Sequence, residues 1–64
     1  PIAQLPTSEE FLEMANHNRF QNLAQLLEFP VHELLKFKGF NYHILDELIM
    51  ILKAHDLLDK LKEN

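Results

Sequence analysis

The segment with the strongest claim to chemistry is Lys36-Phe37-Lys38-Gly39-Phe40-Asn41-Tyr42-His43, which holds the only glycine of this 64-residue chain between two lysines and a ring-rich tail. Glycine takes positive φ freely, and asparagine is the side-chain-bearing residue that best tolerates the left-handed region, so Gly39 and Asn41 both suit a tight turn. A turn that opens a helix can offer backbone N–H groups to a phosphate without help from side-chain charge. Tyr42 adds a ring that can stack on a base or sit half buried at the rim of a core. Lys36, Lys38, Gly39, Phe40, Asn41, Tyr42 and His43 are therefore the candidate contacts for nucleic acid or a protein partner. The plainer reading of the same residues is a structural turn between two packed helices, and the shortage of positive charge around them favours it.

A second candidate face is acidic. Glu9, Glu10 and Glu13 complement the positive end of a first helix and solvate its outer side, and together they can dock a basic partner. The histidines form no site: His17, His32, His43 and His55 include no pair at i, i+4 on a helix, no cysteine assists them, and no H-E-x-x-H string occurs, so they read as exposed or capping. His32 beside Glu33 signals nothing, because neighbours on a helix point about 100° apart. No nucleophile stands beside a base, one glycine cannot build a phosphate cradle, and so small a body leaves little room for a pocket. The expectation is a non-enzyme with no metal, no cofactor and no small-molecule substrate.

Charge separates the remaining partners. Six Lys and Arg residues stand against ten carboxylates, a net charge of −4. Proteins that hold duplex DNA by electrostatics make roughly six to ten phosphate contacts, so generic capture of nucleic acid is disfavoured. A local basic patch stays open where Lys36 and Lys38 flank the turn and Lys53, Lys60 and Lys62 follow it. A protein partner is preferred, with DNA second and weak. The longest apolar run, Leu48 to Leu52, is too short for a bilayer and no signal segment opens the chain, so no membrane and a cytoplasmic setting are expected. Pro1 without a preceding methionine suggests one module of a longer protein.

These residues need elements to position them. The chain reads as a single domain, 1–64, burying only about 60% of its unfolded surface and lacking any cysteine staple. Residues 1–6 form an extended lead-in with Ile2 and Leu5 available to pack. Thr7-Ser8-Glu9-Glu10 has the form of a capping box, Thr7 capping and Glu10 reaching back, and a first helix follows to about Ala15 with Phe11, Leu12, Met14 and Ala15 inward. Asn16-His17-Asn18 ends it. Asn22 caps a short helix carrying Leu23, Leu26 and Leu27, and Phe29-Pro30 breaks the chain. A third helix, Val31 to Lys36, turns Val31, Leu34 and Leu35 inward. Phe37 and Phe40 bracket the turn, and Leu45, Leu48, Ile49 and Leu52 mark the main helix, its apolar face widened by Ile44 and Ile51. Asp56 ends that helix or caps a last turn with Leu57, Leu58 and Leu61, where Lys60 and Lys62 suit a helix C-terminus. With no strand signal and no repeat, the fold class is all-α, a compact bundle of four to five short helices containing a helix-hairpin-helix motif. A contiguous exposed patch of Phe37, Phe40, Tyr42 and Ile44 would mark a partner helix or a dimer.

From about Asn22 to Leu58 these strings resemble the C-terminal domain of the bacterial RNA polymerase alpha subunit. Leu23-Ala24-Gln25-Leu26-Leu27 is similar to that family's short second helix, Glu33-Leu34-Leu35-Lys36 repeats a common family string, and Phe40 through Leu48 follows its turn and last long helix. Leu5-Pro6-Thr7 also resembles the lead-in to the family's first helix. The resemblance implies a face, built from the turn and the start of the first helix, that binds the DNA minor groove, and contacts with transcription factors. The chain departs from the family at that face. Glu9 or Glu10 stands where an arginine is common, and Asn41, Tyr42 and His43 stand where glycine and two lysines are usual, so Asn41 is expected in left-handed geometry and the positive charge is lost. The reading is a non-catalytic, protein-binding module of a transcription-related or DNA-associated assembly, with direct DNA binding through the turn as the alternative.

Overall fold

Ser8 starts the first helix. A computed structural model describes residues 6–62, so the packing expected of Ile2 and Leu5 lies outside the described residues. Within them the chain forms α1 (Glu9–His17), α2 (Leu23–Leu26), α3 (Val31–Leu34), α4 (Tyr42–Ala54) and a closing 3₁₀ turn, Leu58–Lys60. This is a small all-α bundle, as composition and periodicity lead one to expect. Ser8 is extended, with ψ 162°, and its Oγ accepts the Phe11 N–H at 3.2 Å. The same hydroxyl donates to Glu47 Oε1 at 2.7 Å while the Ser8 N–H donates to Glu47 Oε2 at 2.6 Å, so the start of α1 is held by a carboxylate from the middle of α4. The capping box expected at Thr7 and Glu10 is thus displaced by one residue. With Ser8 as cap, the third helical position falls on Phe11, Glu10 is released outward, and Thr7 Oγ1 is buried without a hydrogen-bond partner among the described residues.

Both long helices end the same way. After α1, Arg19 takes φ 61°, the Phe20 N–H reaches back to Ala15 O at 2.8 Å and the Arg19 N–H to Asn16 O at 3.2 Å. After α4, Asp56 takes φ 57°, with Leu57 N–H on Leu52 O at 2.7 Å and Asp56 N–H on Lys53 O at 3.1 Å. These are Schellman ends, and their left-handed position favours glycine because any Cβ there crowds the following carbonyl. Arg19→Gly and Asp56→Gly are each expected to stabilise the fold by about 0.5–1 kcal/mol, relief of strain outweighing the added freedom of the unfolded chain. Chemical denaturation checks this, and a lowered midpoint for both variants would mean the two side chains hold contacts that outweigh the strain.

The short helices are capped from nearby. Asn22 Oδ1 accepts the Gln25 N–H at 3.0 Å, as its position suggests, and the Gln25 side chain returns a bond by accepting the Gln21 N–H. α3 is shorter than Val31 to Lys36. Its last turn tightens, with Lys36 N–H on Glu33 O at 3.0 Å and Phe37 N–H on Leu34 O at 3.1 Å. Lys62, rather than capping its own segment, donates from Nζ to Glu28 O at 3.2 Å and accepts the Val31 N–H at its carbonyl at 3.0 Å, which ties the C-terminal turn to the α2–α3 junction.

The core unites Phe11, Met14 and Ala15 of α1 with Phe20, Leu26, Leu34 and Phe40, and with Ile44, Leu48, Ile51 and Leu52 of α4. The buried side of α4 is rotated from the sequence expectation. Ile44, Leu48, Ile51 and Leu52 face inward, while Leu45 and Ile49 are only half buried. Likewise Leu12, Leu23, Leu27, Val31 and Leu35 stand at the margin of the core. A satellite of three rings seals one side, Phe37 lying 5.1 Å from both Phe20 and Phe29 in edge-on geometry, with Phe20 and Phe29 at 6.1 Å. Phe37, Phe40 and Ile44 therefore wall the core, and they form no exposed apolar patch with Tyr42.

Candidate interaction face

The turn between α3 and α4 is built around Gly39. Phe40 N–H donates to Phe37 O at 3.0 Å, and Gly39, third in that turn, has φ 84°, as a type II turn requires there. Asn18, at the end of α1, donates through Nδ2 to Met14 O and to Lys38 O, both at 2.9 Å. One side-chain amide thereby fastens the turn to α1, and Gly39 settles over Met14, whose Cβ would stand 3.6 Å from any Cβ at position 39.

Asn41 is not left-handed. It is extended, φ −147° and ψ −177°, and caps α4 by accepting the Ile44 N–H at Oδ1, 2.9 Å. The left-handed position expected of Asn41 belongs to Gly39 alone, because the turn closes before the helix begins. The cap also occupies one of the amides that a phosphate would use at this helix end.

Between α1 and the turn lies an open groove of about 370 Å³, lined by Glu10, Glu13, Met14, His17, Lys38, Gly39 and Asn41. The two candidate faces read separately from the sequence are here one face. Glu10, Glu13 and His17 line it from α1, and Lys38 and Gly39 line it from the turn. Glu9 is exposed but is not part of the groove lining. Lys36 is exposed and stands outside it, and Phe40 is only 6% exposed, a core residue and not a contact. Tyr42 is 75% exposed, neither half buried nor seated at a rim. His43 borders a second groove with Ser8, Glu10, Asp46, Glu47 and Met50, so carboxylates surround it too.

Lys36 and Lys38 are the exposed lysines that flank the turn in sequence. Lys62 is engaged with Glu28 O, and Lys53, eleven residues along α4 from Tyr42, stands roughly 16 Å away at helical rise. All four histidines are exposed, and His55 is the C-terminal cap residue of α4. His32 Nε2 lies 3.6 Å from Glu33 Oε1, a contact between neighbours that helical angles alone do not favour, reachable because both side chains lean out at the helix surface. Among the described residues no three His, Asp or Glu side chains gather as a metal site, and no helix is long and apolar enough to cross a membrane.

His17 and Asn18 join the face without standing out as candidates in the sequence. Glu10, Glu13 and His17 follow i, i+3, i+7 on one helical face, a spacing that the sequence itself displays. Asn18 carries no such signal, since its acceptor Lys38 O is twenty residues away. Set against protein families, curated proteins and solved structures, the chain matches none.

Proposed function

We propose that this chain is a non-catalytic interaction module that binds a protein partner through the groove between α1 and the Gly39 turn. One observation supports this above others: Glu10 and Glu13 border the same groove as the turn's backbone. A phosphate approaching Gly39 meets two carboxylates against one lysine, whereas a segment carrying Arg or Lys finds complementary charge and the apolar floor of Met14. The α3–turn–α4 unit is a helix-hairpin-helix in this reading, and the resemblance to the RNA polymerase alpha C-terminal domain favours a transcription-related or DNA-associated assembly in the cytoplasm. Direct DNA binding through the turn is the second reading, carried by the exposure of Tyr42 beside it.

An NMR titration discriminates them. At about 150 mM salt the domain is expected to bind AT-rich duplex no better than about 10⁻⁴ M, the weak end of non-specific binding. An Arg-rich peptide is expected to shift Glu10, Glu13, His17 and Lys38, and a Glu10→Gln, Glu13→Gln variant to lose that response. Glu10→Arg with His43→Lys should gain duplex affinity and steepen the salt dependence by close to one unit per new phosphate contact. Micromolar duplex binding by the unaltered domain, with shifts centred on Gly39 to His43, would replace the protein-binding reading by the DNA one.

A further inference from the structure

The outer side of α4 carries an order of residues that its own fold leaves unused. At about 100° per residue, Tyr42, Asp46, Ile49, Met50 and Lys53 run along the side opposite the buried Ile44, Leu48 and Ile51. Met50 is 67% exposed and Tyr42 75%, two of the three large apolar side chains that the described residues leave in water, and Leu58, just past the end of α4, is the third. Asp46 and Lys53 are seven residues apart, about 10 Å of helix. Side chains pair along a helix only at three or four residues, so these two cannot meet. Among the described residues neither side chain has an ionic or hydrogen-bond partner.

We propose that this strip pairs with the same strip of a second copy of the chain, antiparallel, about a two-fold axis passing between Ile49 and Met50. In that register Asp46 of each copy faces Lys53 of the other, and Ile49 faces Met50 twice across the axis. Tyr42 of each copy extends past the last turn of the opposing α4, toward the segment that carries Leu58. The order acid, apolar, apolar, base is its own complement when reversed, which is what an isologous contact demands. An unrelated helix gains nothing from that symmetry, so the second copy is the occupant the sequence order selects. A single helix strip lies at the small end of interface sizes, and two copies of net charge −4 repel, so the association is weak and exchanging. The strip adjoins the α1–turn groove at Glu10, which lines that groove and also borders Asp46 and Met50. Asp46, Ile49, Met50 and Lys53 do not line the α1–turn groove, so charge swaps at 46 and 53 test the pairing apart from that groove.

Sedimentation equilibrium from ~10 μM to ~1 mM tests the pairing, a range suited to small, transient interfaces. The mass should rise from the 7.6 kDa monomer toward twice that value as concentration increases. Asp46→Lys and Lys53→Asp, both at exposed positions, should each weaken association about tenfold or more, since each places like charges opposite one another at two points. An equimolar mixture of the two variants should associate again, because each then offers the other its opposite charge. Circular dichroism of each variant establishes that it is folded. A monomer throughout the range, association of either single variant as strong as the parent's, or failure of the mixture to associate would each overturn the pairing.

Discussion

Leu48→Ala is expected to destabilise the domain by about 2–5 kcal/mol, the range for emptying a fully buried leucine site. Leu48 is 0% exposed and sits at the centre of the α4 face that meets α1. A chain of this length has about 3–10 kcal/mol of total stability, so the variant should lose much or all of its cooperative thermal transition. Leu45 supplies the internal comparison. It belongs to the same apolar run but is half buried, so Leu45→Ala removes fewer contacts and leaves a smaller void, at a cost of about 1 kcal/mol. Melting followed by circular dichroism decides between the two faces. Equal losses at 45 and 48 would return the core side of α4 to the position that periodicity alone suggests.

Gly39→Val is expected to cost about 1–3 kcal/mol, and the reason is backbone conformation, not space. The nearest atom to a Cβ at position 39 would be Met14 Cβ at 3.6 Å, an ordinary contact, whereas φ 84° is a region that β-branched side chains avoid. The loss should be visible beyond the melting point. Asn18 holds Lys38 O only while the turn keeps its shape, so amide shifts at Met14, Asn18 and Lys38 should move together as the groove loosens. Asn41→Gly makes the contrast, because glycine is a tolerable N-cap and costs only a few tenths of a kcal/mol in place of asparagine. A Gly39→Val protein that melts like the parent, with those three amides undisturbed, would show that the turn does not need its positive φ.

The acidic and the turn residues become one face through two long-range ties. Glu47 captures the Ser8 N–H and hydroxyl, fixing where α1 begins, and Asn18 captures Lys38 O, fixing where the turn rests. The first tie also explains why Glu10 is free to border the groove: a cap at Thr7 would have drawn it back toward the chain. The fold and the electrostatics of the face are therefore one result.

Helix identity is legible in the chain because it depends on neighbours. The cap at Asn22, the break at Pro30 and the apolar spacing from Ile44 to Leu52 are local features, and each is found where those residue types direct it, whereas Asn41, expected in left-handed geometry, is an extended cap. The all-α class follows from them, and so does the scarcity of positive charge at the turn, which is a matter of composition. Tertiary structure decides what neighbours cannot. Ser8 prevails over Thr7 as the cap because Glu47, thirty-nine residues away, binds it. Arg19 occupies a left-handed position after α1 against its own preference, whereas Asp56, which the sequence marks as an end of α4, takes the matching position after that helix. α4 presents Ile44 and Ile51 in preference to Leu45 and Ile49 because the surface of α1 and the rings beside it set its rotation, and a helix with so broad an apolar face leaves that rotation open until a partner surface fixes it.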